Sequence, residues 1–378
     1  MKRSTDRILT THTGSLPRPA DLLEMIRANV AGDTVDPAAF AARVKSAVRE
    51  TVEKQVEAGI DVVSDGEMGK PSFATYINDR LAGLGGVNPA PRPHKDLFAY
   101  PGWATTVPPA VMVRRFCQGE VAYQNQEALQ ADIENLNGAI ASTGAAEGFM
   151  PCASLGIIAD VVVNQHYPSE RAYLYALADA MKVEYRAVAD AGLVIQIDAP
   201  DAAMGRHLQF RDEPLEVFRR ETAQRVEALN HALAGIPEEQ IRYHICWGNY
   251  EGPHSFDVPL ADVVDLLLAV NAGAYSVEAA NPRHAHEWRV WEDVKLPEGK
   301  VLIPGVIDST TNFIEHPEVV ADRIEQFARI VGKENVVAGT DCGFGTSAGR
   351  SAVHPELVWP KLAALTEGAK LASQRLWG

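Results

Sequence analysis

Three residues of the types that bind soft metal ions lie in, or directly after, apolar runs with strand character. His244 and Cys246 are two positions apart, and alternation along a strand turns every second side chain to the same face. Cys342 follows the last such run, and Glu278 ends the run after that of His244, where it can supply a carboxylate oxygen. One imidazole, two thiolates and one carboxylate suit zinc better than magnesium or calcium. The sequence therefore predicts a Zn²⁺ site formed by these four residues.

The ordinary interpretation of a single cysteine is a small buried apolar residue. Convergence of several ligand types at separate strand ends favours a metal site instead. Cys117 and Cys152 belong to no ligand-spaced set, so we expect them to be buried apolar residues. Four cysteines in 378 residues are also too few for a disulfide scaffold.

The elements that position these residues alternate between short apolar runs and longer stretches of helical period, as in repeated β-α units. The predicted strands are Ile8–Thr11, Ile60–Ser64, Gly148–Cys152, Leu193–Ile197, Arg242–Cys246, Tyr275–Glu278, Val301–Val306 and Val336–Thr340. The predicted helices include Pro37–Ala58, Ser169–Asp190, Pro214–Ala234, Pro259–Asn271 and Pro317–Val331. This order predicts a closed α/β barrel of the (β/α)₈ TIM type. Its site is expected at the carboxyl ends of the strands, where such barrels carry their chemistry.

One segment fits the alternation poorly. Residues 83–126 are rich in proline and glycine and then carry Ala110–Arg115, a strand-like run that we place in an inserted hairpin. We expect this insertion to cover one end of the barrel. No repeat or long linker divides the chain, so residues 1–378 are predicted to form a single barrel domain with this insertion.

Charge and hydropathy exclude several classes of partner. A formal net charge of −15 argues against a general nucleic-acid or anionic-membrane surface, since both require a positive footprint. The N-terminus lacks the apolar stretch of a signal peptide, and no uninterrupted apolar run reaches membrane-spanning length. We therefore expect a cytoplasmic protein without nucleic-acid or membrane partners. Assembly into a homo-oligomer is compatible with the sequence.

Motifs with potentially reactive or ligand-binding side chains lie at the ends of most of the predicted strands. They are Thr10-Thr11-His12-Thr13-Gly14-Ser15-Leu16-Pro17-Arg18, Asp65-Gly66-Glu67, Gln196-Ile197-Asp198, His244-Ile245-Cys246, Glu278 and Asp341-Cys342-Gly343. Together they resemble the cobalamin-independent methionine synthase family over nearly the whole chain. The similarity is greatest to the catalytic C-terminal barrel of that family and to single-domain relatives, including epoxyalkane:coenzyme M transferase.

The resemblance implies a mechanism for the predicted metal site. His244, Cys246, Cys342 and Glu278 would hold zinc, and a thiol substrate would join the metal while the glutamate loosens or leaves. A metal-bound thiol loses its proton near neutral pH and becomes a nucleophile toward an alkyl carbon. The implied partners are therefore a small-molecule thiol and an alkyl donor.

Further residues receive roles from the same resemblance. Gly14 and Ser15 would contact the thiol substrate through the turn after the first strand. Glu67 would bind the amino group of homocysteine or the second substrate, and Asp198 and Asp201 would bind or protonate the alkyl donor. Glu67 and Asp198 are thus the predicted catalytic acids. Helix N-capping is the alternative for Glu67 and its neighbour Asp65, and an ordinary strand-to-helix turn is the alternative for Gly14 and Ser15.

Two aromatic side chains near these motifs have both a functional and a structural interpretation. Trp247 directly follows Cys246 and is predicted to line the substrate pocket, although an indole at a barrel mouth is frequently packing alone. His12 follows the first strand, and we favour a structural hydrogen-bonding role for it because a single histidine has that role more often than a catalytic one.

One position departs from the family pattern. Thr310 stands where methionine synthase has a catalytic histidine two residues after an aspartate, here Asp308, and His316 lies too far along the chain to replace it. Since the leaving amine of methyltetrahydrofolate needs a general acid, two reactions stay open: methyl transfer to homocysteine or a similar thiol, and epoxide opening by coenzyme M. The sulfonate of coenzyme M would require a cationic clamp. The candidates are Arg18, Lys70 and Arg350.

Two other classes of protein compete with a zinc-dependent thiol alkyltransferase. A metal-free decarboxylase of the uroporphyrinogen decarboxylase-like barrel group would use acids and arginines, and the His-x-Cys and Asp-Cys-Gly motifs argue against it. A non-catalytic zinc- or thiol-binding barrel is disfavoured because structural zinc sites are usually closed Cys-rich knuckles, unlike ligands spread over strand ends.

Overall fold

The structure, a computed structural model, describes residues 1–90, 93–106 and 113–378. Its strands are β1 Leu9–Thr10, β2 Val62–Val63, β3 Leu84–Gly85, β4 Arg115–Cys117, β5 Glu147–Ala153, β6 Val162–Asn164, β7 Val194–Asp198, β8 Ile241–His244, β9 Ala274–Val277, β10 Val301–Ile307 and β11 Val337–Thr340. Its helices are α1 Ala20–Ala31, α2 Pro37–Glu57, α3 Lys95–Ala99, α4 Pro101–Ala104, α5 Gln126–Thr143, α6 Leu155–Val161, α7 Glu170–Asp190, α8 Leu215–Leu233, α9 Val264–Leu268, α10 Val290–Asp293, α11 Pro317–Val331 and α12 Pro355–Trp377.

Eight of the strands form one parallel sheet in the order β1-β11-β10-β9-β8-β7-β5-β2. The two end strands approach each other, because the backbone N–H of Asp61 donates to the carbonyl of Thr10 at 3.1 Å. The sheet is therefore a nearly closed barrel surrounded by helices, and the predicted (β/α)₈ fold is confirmed. Each of the eight predicted strands corresponds to one strand of this barrel.

Helix α7 shows how the sequence produces the outer layer. Ser169 caps its first turn by accepting a hydrogen bond from the N–H of Ala172 at 3.1 Å, as serine commonly does at a helix start. Leu174, Leu177 and Met181 recur at helical spacing, and all three are buried against the barrel. The helix therefore covers the sheet with an apolar stripe, and its buried Glu184 accepts hydrogen bonds from the hydroxyls of Tyr76 and Tyr123.

Two predicted boundaries differ from the structure. Strand β8 ends at His244, so Cys246 lies two residues beyond it, in the loop. The segment Pro259–Asn271 forms a 3-10 turn at Leu260–Asp262 and only the short helix α9, instead of one continuous helix. Element ends are the part of a sequence pattern that tertiary contacts shift most easily.

The predicted insertion contains β3, α3, α4 and β4. Strand β3 pairs antiparallel with β4, and β4 pairs parallel with β6 in a separate three-stranded sheet. Of the strand-like run Ala110–Arg115, residues 110–112 lie outside the described residues. The α3 segment contacts the loop after β8, since Asp96 accepts hydrogen bonds from the hydroxyl of Tyr250 at 2.7 Å and the N–H of Ser255 at 3.2 Å.

A search of the described residues for membrane spans found no helix with the length and apolar character to cross a bilayer.

Candidate functional site

The ends of two barrel strands bring together three side chains of metal-ligand types. His244 is the last residue of β8, Cys246 lies two residues beyond it, and Cys342 lies two residues beyond β11. One imidazole nitrogen and the two sulfur atoms lie within 4.8 Å of one another, and all three side chains are buried. Nε2 of His244 is 3.6 Å from Sγ of Cys342. Among the residues that the structure describes, no other group of three such ligands meets this distance.

Hydrogen bonding and burial prepare these side chains for a cation. Ser276 of β9 hydrogen-bonds Nδ1 of His244 at 3.2 Å, which leaves Nε2 directed at Cys342. Burial lowers the pKa of His244 to about 4, so the imidazole is neutral and has a lone pair to offer. A hydrogen bond between the two thiols lowers the pKa of Cys246 and raises that of Cys342. We call His244, Cys246 and Cys342 the cysteine–histidine cluster.

Glu278, the predicted fourth ligand, lies directly after β9 and is buried next to this cluster. Its Oε1 accepts a hydrogen bond from the backbone N–H of Trp247 at 3.0 Å, and its Oε2 accepts one from Nδ2 of Asn281 at 2.8 Å. Burial first, and then the charge of Cys246, raise the pKa of Glu278 well above its ordinary value. The structure thus brings Glu278 to the site, but its carboxylate is outside the group of atoms within 4.8 Å.

The turn after β1 packs against the loop that carries Cys342. Gly14 has a φ of +136°, and a Cβ at this position would lie 2.7 Å from Cγ of Pro151, so the turn requires glycine. Ser15 lies against Gly343, where a Cβ would be 2.0 Å from the serine Oγ. Gly14 and Ser15, predicted to bind substrate, are therefore at the same mouth as the cysteine–histidine cluster.

Glu67 is a buried carboxylate in a strained turn after β2. Its φ is +57°, which is uncommon outside glycine. Oε2 makes no hydrogen bond within the described residues and lies 3.8 Å from Nη2 of Arg18, whereas Oε1 would be 3.3 Å from a Cβ on Gly14. Burial raises the pKa of Glu67 to about 7, although the charges of Lys70 and Arg18 lower it. A buried carboxylate oxygen without a partner is costly, so this group is suited to a cationic ligand.

Asp198 is the last residue of β7 and lies beside His244 in the register of β7 and β8. Its Oδ1 accepts a hydrogen bond from Nε2 of Gln196 at 2.7 Å. Its pKa is raised to about 7, chiefly by burial; His244 lowers this pKa and the charge of Glu67 raises it. The two predicted catalytic acids, Glu67 and Asp198, are therefore close enough to interact, and both lie at the mouth that holds the cluster.

Two other predicted substrate-binding residues have partners inside the protein. Asp201 accepts a hydrogen bond from the hydroxyl of Ser154 at 2.6 Å and pairs with Nη1 of Arg225 at 3.1 Å. Trp247 is fully buried, donates its indole N–H to a backbone carbonyl at 2.6 Å and stacks on His284 with ring centroids 4.1 Å apart. Both side chains thus support the loops behind the mouth, and their polar atoms are already engaged.

Two of the three candidate cations for an anionic substrate, Arg18 and Lys70, donate from their charged groups to the protein. Arg18 is buried and donates to three backbone carbonyl groups at 2.7–3.1 Å. Lys70 is buried, donates to the carbonyl of Pro151 at 2.6 Å and lies 4.3 Å from the ring centroid of Tyr76. Arg350 lies in the loop before α12, where its N–H donates to a backbone carbonyl at 3.0 Å.

The loop after β10 holds the position that departs from the family pattern. The hydroxyl and the N–H of Thr310 both donate to Oδ1 of Asp308, at 2.8 and 2.9 Å. His316 caps α11 by accepting from the N–H of Glu318 at 3.2 Å. His12, the other histidine considered, bonds Gln55 through Nε2 at 2.7 Å and accepts from a backbone N–H through Nδ1. These interactions are structural.

Sequence reasoning placed Asp341 in a motif but gave it no role; in the structure it holds two strand ends of the site together. Its carboxylate accepts hydrogen bonds from the N–H groups of Ala279, Ala280 and Asn281, each at 2.8 Å. Gly305 of the intervening strand β10 leaves room for it, since a Cβ there would lie 2.2 Å from Oδ1. The position of Asp341 in the Asp-Cys-Gly motif was the signal that could have identified it.

A second missed group lies inside the barrel. Arg242 is buried, with its Nε donating to Oε1 of Gln196 at 2.6 Å and its Nη1 to the hydroxyl of Thr11 at 2.9 Å. Because a guanidinium can only donate, the amide oxygen of Gln196 faces it and the NH₂ group faces Asp198. Arg242 precedes His244 by two residues, so strand alternation could have placed both on the interior face.

A third missed group is the set of histidines around Asp257, a buried residue in the loop after β8. This carboxylate lies 2.9 Å from Nδ1 of His207, 2.8 Å from Nδ1 of His254 and 3.0 Å from Nε2 of His284. Burial alone would lower the pKa of His284, but its hydrogen bonds to Asp257 and Glu287 raise it to about 10. These contacts stabilise the loop after β8 on the side where Trp247 stacks on His284.

Comparisons with known proteins agree with the resemblance. The family model described as cobalamin-independent synthase, catalytic domain, matches residues 8–358. A methionine synthase from Sulfurisphaera tokodaii is 24% identical over 97% of this chain and 93% of its own length. An uncharacterized protein YxjH from Bacillus subtilis is 27% identical over 93% of this chain and 91% of its own length. The structure of a B12-independent methionine synthase from Shewanella sp. W3-18-1 in complex with selenomethionine has a TM-score of 0.75 at 22% identity and covers 98% of this chain and 99% of that one; this likeness shows the shared fold.

Proposed function

Because this chain belongs to the cobalamin-independent methionine synthase family, we propose that it is a zinc-dependent transferase that methylates the thiol of homocysteine. The observation that carries the proposal is the convergence of His244, Cys246 and Cys342 within 4.8 Å at a mouth that also holds the buried carboxylates Glu67 and Asp198. A metal-free decarboxylase has no use for such a cluster. A structural zinc site has no use for two buried carboxylates at the same mouth, one of which keeps an oxygen without a hydrogen bond among the described residues.

The donor set fits zinc. A neutral imidazole and two thiols that already share a hydrogen bond are borderline-soft ligands, and zinc prefers this combination to the oxygen ligands of magnesium or calcium. When bound, the metal ion supplies a positive charge that keeps a coordinated thiol deprotonated at neutral pH. Three protein ligands are also the number found in catalytic zinc sites, where the fourth position belongs to water or substrate.

The acids of the mouth select a thiol with an ammonium group. Oε2 of Glu67 lacks a hydrogen-bond partner among the described residues, and Gln196 occupies only Oδ1 of Asp198. An ammonium donates three hydrogen bonds and would stabilise both carboxylates in their charged form, which burial otherwise disfavours. Homocysteine has this ammonium beside its carboxylate, a short chain away from its thiol.

The same charges disfavour the sulfonate thiol coenzyme M. A sulfonate at this mouth would face Glu67 and Asp198, and the two nearby cations, Arg18 and Lys70, already donate to backbone carbonyl groups. Redirecting either cation would break buried hydrogen bonds between a charged donor and a carbonyl group, each of which contributes about 1.5–3 kcal/mol. We therefore do not favour epoxide opening by coenzyme M.

The residues of the loop after β10 indicate which class of methyl donor the site favours. Thr310 and Thr311 both donate their hydroxyl protons to Asp308, so this loop presents no acid at the position where the family pattern has a histidine. An amine leaving group requires protonation, whereas a sulfonium donor releases a neutral thioether that requires none. A sulfonium therefore fits this loop better than methyltetrahydrofolate.

Metal content and product formation test the proposal together. We expect the purified protein to contain about one zinc per chain, and Cys246→Ser and Cys342→Ser to lose it. Cys117→Ser is the matched control, because Cys117 is buried outside the cluster. Zinc-edge X-ray absorption should then show one additional sulfur ligand with homocysteine and no change with coenzyme M.

Turnover identifies the donor. The protein is incubated with homocysteine and either methyltetrahydrofolate or a methyl sulfonium, and methionine is measured by mass spectrometry. Methionine formation that disappears in Cys342→Ser supports the proposal. Zinc retained in both cysteine variants, or a sulfur ligand gained only with coenzyme M, would refute it.

A further inference from the structure

Gln196 lies one layer below Asp198 in the interior of the barrel. The two residues are two positions apart on β7 and therefore turn to the same face. The register of β7 and β8 places Gln196 beside Arg242 and Asp198 beside His244. Since the carboxyl ends of the strands form the mouth, the row of Gln196 and Arg242 lies deeper in the barrel than the row of Asp198. Both Gln196 and Arg242 are buried.

Every polar atom of the Gln196 amide has a partner. Its Oε1 accepts a hydrogen bond from Nε of Arg242 at 2.6 Å. Its Nε2 donates to Oδ1 of Asp198 at 2.7 Å and to the carbonyl of Thr13. Thr13 directly precedes Gly14 in the turn after β1. The amide therefore connects Asp198 to the turn that is predicted to contact the thiol substrate.

Arg242 determines which way this amide faces. A guanidinium donates hydrogen bonds and accepts none, so the oxygen of Gln196 must face it and the NH₂ group must face Asp198. The guanidinium is itself held in place, because Nη1 donates to the hydroxyl of Thr11 at 2.9 Å and Cζ lies 3.6 Å from the ring centroid of Phe149. Reversing the amide would set its donors against those of Arg242 and its oxygen against a carboxylate.

This network holds one oxygen of Asp198. Among the residues that the structure describes, the hydrogen bond to this carboxylate comes from Gln196 and reaches Oδ1. A hydrogen bond to one oxygen restricts rotation of the carboxylate, so Oδ2 keeps a narrow range of directions. Fixing a binding group before its ligand arrives reduces the entropy that binding loses. The amide of Gln196 therefore prepares Asp198 for a donor at Oδ2.

We infer that Gln196 is a positioning residue that fixes the carboxylate of Asp198 for the ammonium of the thiol substrate, with Arg242 setting the direction of its amide. The inference rests on the proposed function, since the ammonium is that of homocysteine. A thiol without an amino group gains nothing from an oriented Asp198. Gln196 therefore determines the preference of the site between these two kinds of thiol.

Two variants remove the donor to Asp198. Gln196→Met replaces the amide with an unbranched apolar side chain of similar length. A double variant, Gln196→Met with Arg242→Met, also removes the guanidinium that has lost an acceptor, because replacing both partners of a buried polar pair by apolar groups of similar shape is close to neutral for stability. Gln240→Met is the matched control: Gln240 directly precedes β8, at the opposite end of the barrel, and its amide donates to the carbonyl of Ala189 at 3.1 Å.

Thiol affinity is measured by calorimetric titration of each zinc-loaded protein with homocysteine and with 4-mercaptobutanoate, which is homocysteine without its amino group. The unaltered protein should prefer homocysteine. We expect both Gln196 variants to bind homocysteine roughly ten-fold more weakly, the order expected when one hydrogen bond to a charged group is lost. Their affinity for 4-mercaptobutanoate and their zinc content by mass spectrometry should be unchanged. Gln240→Met should match the unaltered protein in all three measurements.

A double-mutant cycle with Asp198→Asn separates orientation of the carboxylate from packing around it. If Gln196 acts through Asp198, Gln196→Met should weaken homocysteine binding far less in the Asp198→Asn background than in the unaltered protein, because residues that share one interaction are not additive. Losses that simply add would overturn the inference.

Equal weakening of both thiols in the Gln196 variants would reveal a general effect on packing and would also overturn the inference, as would an unchanged affinity for homocysteine. In these cases the unaltered protein still binds zinc and prefers homocysteine, so the proposed function stands. An unaltered protein that binds no zinc or no homocysteine, or that binds both thiols equally, would refute the proposed recognition of homocysteine and this inference together.

Discussion

Replacement of Asp201 distinguishes a substrate-binding acid from a structural one. The resemblance implies contact with the alkyl donor, whereas the structure shows a buried ion pair with Arg225 at 3.1 Å and a hydrogen bond from Ser154 at 2.6 Å. We expect Asp201→Asn to destabilise the protein, because the amide keeps the shape of the side chain but removes the negative charge beside a buried guanidinium.

The size of this loss of stability depends on the ion pair that Arg225 still makes in the variant. Removing one partner of an isolated buried pair costs about 3–5 kcal/mol, since the other charge is left uncompensated. Arg225 keeps Asp160 at 3.1 Å, so its charge stays partly neutralised. The loss is then closer to that of one charge-assisted hydrogen bond, about 1.5–3 kcal/mol.

Urea unfolding of the zinc-loaded protein, followed by circular dichroism, measures this loss. Zinc content and the KM values for homocysteine and the methyl donor are measured on the same samples and should be unchanged. Glu227→Gln is the control, because the Arg171–Glu227 pair at 2.8 Å is exposed and exposed pairs contribute little. An Asp201→Asn protein with full stability and a strongly raised KM for the donor would refute this reasoning.

Three further changes have defined outcomes. Gly14→Ala should destabilise the protein and weaken homocysteine binding, because Gly14 has a positive φ and no space for a Cβ. Gly32→Ala is the control: Gly32 also has a positive φ but nothing within 4 Å of a Cβ, so it should show only the smaller cost of backbone strain. Thermal unfolding compares the stability of the two variants, and calorimetry compares their homocysteine affinity. Burial raises the pKa of Glu67 from 4.5 to about 7, so the folded protein retains a proton that the unfolded chain has lost, and stability should fall as pH rises from about 4.5 to 7. Glu67→Gln should remove this fall of stability with pH, which urea unfolding at several pH values measures. An unchanged dependence on pH would contradict the raised pKa of Glu67. Cys152→Ser should leave the zinc content measured by mass spectrometry unchanged, since Cys152 is buried outside the cluster.

The fold was predictable from local patterns. Each barrel strand is a short apolar run, and helices such as α2 and α7 begin near the residues that their capping signals indicate, at Asp36 and Ser169. The errors lie at boundaries: Cys246 was placed on strand β8 but lies in the loop, and Pro259–Asn271 forms a shorter helix than predicted. Tertiary contacts decide such ends, since the sequence pattern is similar on both sides of them.

The candidate metal ligands could be predicted to lie together because their placement depends on strand order and strand ends. In a parallel barrel every strand presents its carboxyl end at the same mouth, so ligand-type residues after separate strands must lie near one another. The three members of the cysteine–histidine cluster do so within 4.8 Å, although His244 and Cys342 are 98 residues apart. Asp341 could have been added by the same argument.

The partners of the charged side chains were decided by the tertiary structure alone. The sequence indicated that Glu67, Asp198 and Asp201 lie near strand ends. In the structure Asp201 pairs with Arg225, whereas one oxygen of Glu67 has no hydrogen bond within the described part of the chain. Glu278 likewise reaches the mouth and then bonds Asn281. The residue types, their order and the face on which they lie follow from periodicity within single elements. The choice of each hydrogen-bond partner depends on distances of a few ångströms between elements far apart in the chain, which only packing of the complete barrel determines.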